Sequence, residues 1–308
     1  FNMFFDRLRG KNDGITAFLK YPLRLLAVQQ LDRVLMIVMK ANVVRESSGE
    51  LAHKTPFQVG FFVGKGNIPN KIDSFERLSE RGDKNKAKGL ILESDPETLN
   101  EYYRFIDTCP YCGKKHVNLR FNRDTWRLEH VCDNPECPIM VLPLMIVDNE
   151  IYRYLPSIVV STIDKMAMLG TRNDFKMLFG QVKKKCPVHG FTGNAKCSCA
   201  SCGGHVLQNV GLLKDPIPTL FIQDEMHLVK ESLGTFDAHY ESFLSYYAKE
   251  LVPEAQRKLI RFVGATATIS MYESHIWHLY HMDGRRFPCE YPSAEASEDF
   301  YSYTDNNL

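Results

Sequence analysis

The chain has 308 residues, 44% of them hydrophobic and 24% charged, with a formal net charge of +1, which is the make-up of a globular protein with one large core or two modest ones. No stretch reaches the roughly 20 consecutive apolar residues of a membrane-crossing helix, so a membrane role is not expected. The near-balanced charge excludes a global positive field, so contact with a polyanion would have to be local. The opening Phe1-Asn2-Met3-Phe4-Phe5 runs straight into Asp6, Arg7 and Arg9 with no basic leader or small-residue cleavage site, which argues against a secretion signal and for the cytoplasm. It reads as the middle of a helix, and the tail stops in polar residues; the expectation is a piece of a longer protein.

In chain order, a short amphipathic helix to Arg9 is broken by the turn residues Gly10 to Gly14. A buried strand follows over Ile15 to Leu19, then Pro22 and a long apolar helix from about Leu23 to Ala41. Phe57 to Val63 is β-rich and ends in Gly64-Lys65-Gly66; Asp73 to Lys88 is charged and expected to be solvated, and Leu90 to Leu92 is briefly apolar. From Cys109 to about Val147 the texture changes to turns, aromatics and cysteine pairs. Ile158 to Ser161 resumes the strand signal, with a helix expected through about Phe179, and a second Cys-, Gly- and Lys-rich stretch spans about Lys183 to His205. Pro218 to Ile222 forms an apolar run ending in Gln223-Asp224-Glu225, a helix is expected over Phe236 to Leu251, and a last strand, Leu259 to Val263, ends in Gly264-Ala265-Thr266-Ala267-Thr268. Short apolar strands alternating with helices predict an α/β fold with a parallel sheet flanked by helices, and ligands collect at the carboxyl ends of such strands. The predicted organisation is one lobe in three parts (1–104, 148–182 and 207–308), interrupted by cysteine-rich insertions at 105–147 and 183–206.

Eight of the nine cysteines fall in these insertions, and Cys289 stands apart. Paired thiols at close spacing, with no secretion signal, favour metal thiolates over disulfides. Cys109-x2-Cys112 and Cys132-x4-Cys137 supply the two knuckles of a four-cysteine Zn2+ site. His116 and His130 are less natural ligands and are expected at the surface. The second insertion offers five candidates for four places: Cys186, His189, Cys197, Cys199 and Cys202. The four cysteines are favoured there, with His189 the main competitor. A closed, thiolate-rich set implies a structural rather than a catalytic metal.

An apolar strand ending in Asp224-Glu225 places two carboxylates at a sheet edge, where Asp224 would hold Mg2+ and Glu225 would take the proton of an attacking water. An isolated acidic pair after a strand is more often a solvated loop; here His227 follows, and a second strand ends in Thr266-Ala267-Thr268. FIQDEMH at 221–227 resembles motif II of the DEAH-type superfamily 2 helicases, and GATAT at 264–268 resembles motif III. The resemblance implies a RecA-like motor lobe in which Gln223, Asp224, Glu225 and His227 serve ATP and Thr266, Ala267 and Thr268 couple it to nucleic acid. Three further stretches resemble the segments that hold a strand by its phosphates. They are Tyr21 to Gln30, with Arg24, Gln29 and Gln30; Gly64-Lys65-Gly66; and Ser161 to Lys165, with Ser161, Thr162 and Lys165. Each alone has a plain structural explanation (a surface arginine, a turn, an N-cap), and their order along the chain is what makes them a set.

YPLRLLAVQQ at 21–30 and the Leu233-Gly234 after motif II are similar to the helicase component of bacterial DISARM antiphage systems and its relatives in other defence islands. That likeness implies ATP-driven DNA binding or translocation, on single-stranded or overhang-bearing DNA, beside a second protein subunit. No GxxxxGK[ST] occurs, and the GKNDG at Gly10 lacks both a preceding strand and a hydroxyl residue after the lysine. These 308 residues alone are therefore expected not to turn over ATP. A zinc-ribbon scaffold that has lost hydrolysis, and an RNA motor, remain as alternatives.

Overall fold

The computed structural model describes residues 1–64, 72, 96–166, 172–197, 199, 202–211, 213–257, 259–267, 269 and 271–287. Of the residues singled out above, Lys65, Gly66, Thr268 and Cys289 lie outside that set, as do the charged stretch at 73–88 and the apolar one at 90–92.

Six strands form one sheet: β1 (Ala17–Tyr21), β2 (Val59–Phe62), β5 (Leu144–Met145), β6 (Ile158–Thr162), β10 (Leu220–Gln223) and β11 (Arg261–Gly264), in the order β11-β10-β1-β6-β2-β5. Every pairing is parallel. The inner strands read as continuous apolar runs because helices cover both faces. On one face Tyr21, Val59, Phe61 and Val160 pack with α2 (Arg24–Ser47), which buries Ala27, Leu31, Leu35, Val38 and Met39. On the other, Phe18, Phe62, Val159 and Phe221 meet α4 (Asp148–Tyr154), a 3-10 helix over Asn173–Phe179, and Leu244 of α6 (Glu231–Tyr246). α7 (Tyr272–Tyr280) joins α6 through a smaller cluster around Met226, Val229 and Leu279.

Helix boundaries depart from expectation where distant side chains hold the backbone. α2 continues past Ala41 to Ser47 because its last turns are tied to the next loop. Asn42 accepts from the Phe57 N–H at 2.8 Å and donates to its carbonyl at 2.9 Å, while Arg45 Nη1 reaches the carbonyls of Leu51, Ala52 and Lys54. α6 starts at Glu231 rather than Phe236, and a π turn carries it to Leu251. After β6 only a short α5 (Ile163–Met166) precedes the 3-10 helix in the described residues.

The insertions form their own small sheets, and buried residues of both, such as Leu119, Leu128 and Cys199, share the cluster that packs β2 against α2. The first holds the antiparallel hairpin of β3 (Val117–Asn122) and β4 (Arg127–Cys132), with α3 (Pro96–Tyr103) just before it; the second holds β7 (Lys184–Cys186) and β8 (Gly190–Thr192), joined antiparallel by β9 (Gln208–Asn209) just after it. Leu144–Met145, inside the stretch expected as the first insertion, pairs with β2 in the main sheet. Two residues are too short to show strand periodicity.

Candidate functional site

Parallel register brings the polar ends of five strands to one level at the carboxyl edge of the sheet. Tyr21 pairs with Thr162, Lys20 with Gln223, Gln223 with Gly264, and Phe62 with Ser161. β10 leaves the sheet through Glu225, whose backbone is left-handed at φ 50°, a conformation uncommon for residues other than glycine and suggestive of a functional turn. The turn is fixed from both neighbouring strands. The Asp224 N–H donates to the Lys20 carbonyl at 3.0 Å, the Met226 N–H to the Ala265 carbonyl at 3.0 Å, and the Ala265 N–H to the Gln223 carbonyl at 2.8 Å.

Asp224, Glu225 and His227 are half-buried at this edge, and Thr266 is exposed. His227 Nδ1 lies 3.2 Å from Thr266 Oγ1 and 3.3 Å from a Glu225 carboxylate oxygen; the carboxylate can only accept, and the tautomer decides whether the Thr266 hydroxyl donates or accepts. Asp224 Oδ1 accepts the Glu225 N–H at 2.9 Å, which fixes the carboxylate against its own turn. Tyr21 stands close enough to Asp224 that burial, helped by this carboxylate, pushes its phenol up to about 12. Gln223 is different in kind: its amide is buried and donates to the carbonyls of Asp224 and Lys20, so it fastens the turn rather than facing solvent.

Under this edge lies a buried ion cluster that apolar patterning did not reveal. Lys20 Nζ pairs with Asp237 at 2.7 Å and with Glu241, both from α6 and all three inaccessible to solvent. Burial alone would lower the Lys20 ammonium, but the two carboxylates outweigh it and hold its pKa above the ordinary lysine range. Burial pushes Glu241 up to about 7, Lys20 opposing and Asp237 reinforcing. A lysine inside an apolar strand, with Asp and Glu four apart on a later helix, was the available signal.

The expected phosphate contacts sort into two groups. Arg24, at the first turn of α2, lies over the Phe105 ring at 5.9 Å; Gln29 is exposed, and Gln30 accepts weakly from Arg33 at 3.5 Å. Gly64 sits just beyond β2, where a side chain would overlap the carboxylate of Asp164. Ser161, Thr162 and Lys165 are all buried. Lys165 is a correction: its ammonium pairs with Asp148 at 2.7 Å and lies over the Phe62 ring at 4.7 Å, so its charge is spent inside the fold. A short helix start on a buried strand end turns this side chain inward, which the local sequence does not distinguish from an outward one.

The thiols form two compact groups, Cys109, Cys112, Cys132 and Cys137 in the first and Cys186, His189, Cys197 and Cys202 in the second, each with all four ligand atoms within 4.8 Å of one another. Both are able to bind Zn2+, as tetrahedral sets of the four-sulfur and three-sulfur-one-nitrogen kind. The preference for Cys199 over His189 is corrected. Cys199 lies outside the second group, whereas His189 Nδ1 is 3.5 Å from Cys186 Sγ. His189 Nε2 sits 2.9 Å from the Asp124 carbonyl oxygen. That oxygen can only accept, so Nε2 carries the proton and Nδ1 keeps its lone pair for a metal. His130 is also corrected from a surface residue to a core one. It is fully buried, accepts the Phe105 N–H at Nε2, and is pushed by burial, with Arg104 adding to the effect, down to about 3. His116 is exposed, as expected.

Fold and site together define a parallel α/β protein with two zinc-competent insertions and a cluster of acidic and hydroxyl side chains at the carboxyl edge of its sheet. No family model matches the chain. Over 310 residues it is 29% identical to the DISARM protein DrmA of Bacillus paralicheniformis, a match covering 97% of this chain and 26% of the relative. The chain thus resembles DrmA along nearly all its length and spans about a quarter of that protein. Among the described residues, no helix is long and apolar enough to cross a membrane.

Proposed function

We propose that this chain forms the core of a RecA-like motor lobe in an ATP-dependent DNA helicase or translocase of bacterial antiphage defence. The observation that supports the reading best is the convergence of Glu225 and Thr266, from adjacent strand ends, on one nitrogen of His227. In a DEAH-type motor this is the junction at which nucleotide state is passed to nucleic acid. Asp224 would hold Mg2+, which supplies charge neutralisation at the phosphates, and Glu225 would orient and deprotonate the attacking water. Gln223 and the Lys20–Asp237–Glu241 cluster set the position of both carboxylates from below.

The remainder of the full-length protein would complete the nucleotide pocket beside β11, the sheet's edge strand, where Val263 stays 49% exposed. DNA, entering as a single strand or an overhang, would run over the carboxyl edge past Arg24, Gln29, Gly64 and the end of β6. The zinc-binding insertions would stabilise a surface for DNA or for a second subunit of the defence complex.

The test uses the full-length protein. Glu225→Gln should abolish Mg2+-dependent ATP turnover while leaving nucleotide affinity within about twofold, and single-stranded DNA should stimulate the wild type more than RNA does. Retained turnover in Glu225→Gln overturns the assigned base, and preferential stimulation by RNA overturns the DNA assignment. The 308 residues on their own should show no turnover.

A further inference from the structure

The two insertions are separated in sequence by β5, α4, β6, α5 and the 3-10 helix over Asn173–Phe179, yet they meet. The tip of the β3–β4 hairpin, which belongs to the four-cysteine group, lies against the Cys186–His189 knuckle of the second group. The direct link is the His189 Nε2–H donating to the Asp124 carbonyl at 2.9 Å. Around it, α4 grips both partners. Arg153, 2% exposed, sends Nη1 to the His189 carbonyl at 3.2 Å and the Thr125 carbonyl at 3.3 Å, and Nη2 to the Trp126 carbonyl at 2.9 Å. The neighbouring Tyr154 hydroxyl lies between the carbonyls of Val188 at 3.1 Å and Thr125 at 3.3 Å.

One guanidinium thus joins hairpin tip and knuckle, and one histidine ring joins the hairpin tip to the second metal position. A ligand whose far nitrogen is held by a carbonyl is fixed in tautomer and orientation, and disturbing such a partner typically costs 10- to 100-fold in metal affinity. The Asp124 carbonyl keeps its place only while the hairpin is folded, and the hairpin ends in Cys132, a ligand of the first group. Metal at the first position therefore orders the acceptor that prepares His189. By the reciprocity of linked equilibria, metal at the second favours the folded hairpin by the same factor.

We propose that the two metal positions are a single thermodynamic unit, coupled through the Asp124 carbonyl and the Arg153 guanidinium, with Arg153 a positioning residue rather than a ligand. The proposal rests on both groups binding Zn2+. Its role would be to lock the two insertions onto α4 as one rigid body instead of two independently mobile appendages.

The experiment is a cobalt(II) titration of the metal-free full-length protein, in which four-sulfur and three-sulfur-one-nitrogen sites give distinguishable visible spectra. The wild type should fill both sites together along one cooperative curve. Arg153→Gln should still bind two equivalents at these sites, but in two separated steps, with the three-sulfur site weakened at least tenfold. His189→Cys guards against misfolding of that variant: it keeps four ligands and the Arg153 link to the 189 carbonyl while removing the ring N–H, so it should give two four-sulfur spectra that fill less cooperatively than the wild type. Independent filling in the wild type, or an Arg153→Gln curve that superimposes on it, overturns the coupling while leaving both metal sites intact. Absence of cobalt uptake at either site overturns the metal assignment and the coupling with it.

Discussion

His227 Nδ1 and Thr266 Oγ1 lie 3.2 Å apart, joining two turns that are 39 residues apart in sequence and sit on adjacent parallel strands. The contact spans the gap between the strand end that carries the acidic pair and the edge strand of the sheet, so movement of either turn is felt by the other.

Thr266→Val keeps the shape of the side chain and removes the hydroxyl. The position is exposed, so stability should change by less than about 0.5 kcal/mol. In the full-length protein, DNA-stimulated ATP turnover should fall about fivefold, the equivalent of one hydrogen bond of about 1 kcal/mol, with basal turnover little changed. Equal losses in basal and stimulated rates would place Thr266 in nucleotide handling rather than in coupling.

Lys20→Met leaves Asp237 and Glu241 facing each other in a dry interior. Breaking a buried ion cluster by removing one partner costs about 3–5 kcal/mol, and a urea denaturation midpoint should show it. Because replacing a whole buried cluster with apolar groups is often neutral, the triple variant Lys20→Met, Asp237→Leu, Glu241→Met should recover most of the loss. A Lys20→Met protein as stable as the wild type would show the cluster to be energetically idle.

Lys20 also marks the limit of what the amino-acid sequence discloses. The strands β1, β6 and β10 were legible because parallel strands covered on both faces must be apolar, β11 was legible from its short apolar run although it is an exposed edge strand, and the polar motifs ended them at the expected edge. The cysteine groups were legible because ligand spacing is a local property. Long-range partners were not: nothing near Lys165 shows that Asp148 neutralises it, and nothing near His189 shows that Asp124 orients it. The choice between His189 and Cys199 turned on which ligand atom comes within reach of the other three, since both side chains are buried, and that distance is a property of the folded backbone rather than of the spacing.

Glu150 gives a pH signature. It is fully buried on α4, with one carboxylate oxygen accepting the Leu128 N–H at 2.7 Å and the other unpaired. Burial pushes its carboxyl from 4.5 up to about 7, against the pull of Arg127 and Arg153. The folded chain therefore holds this proton more tightly than the unfolded chain does. Its contribution to stability is fully present below about pH 4.5 and is lost as pH rises through about 7, on the order of 3 kcal/mol in all. Glu150→Gln keeps the acceptor and removes the titration. Relative to wild type, its melting temperature should be similar near pH 4.5 and higher near pH 8; a difference that does not vary with pH would mean that Glu150 does not titrate in this window.

Gly190 separates local strain from loop tolerance in the second insertion. Its φ is +78°, and a Cβ there would overlap the backbone carbonyl of Arg153, which α4 cannot move aside without releasing the hairpin tip. Gly203 lies in the same cysteine-rich segment with open space around it. Gly190→Ala should therefore cost on the order of 2–4 kcal/mol, combining the left-handed backbone penalty with overpacking, and should lower the zinc retained after chelator challenge. Gly203→Ala should stay within about 0.5 kcal/mol and keep wild-type zinc. Thermal melts with zinc quantified on the same samples decide the matter, and equal behaviour of the two variants would mean that the knuckle is not seated on α4 as described.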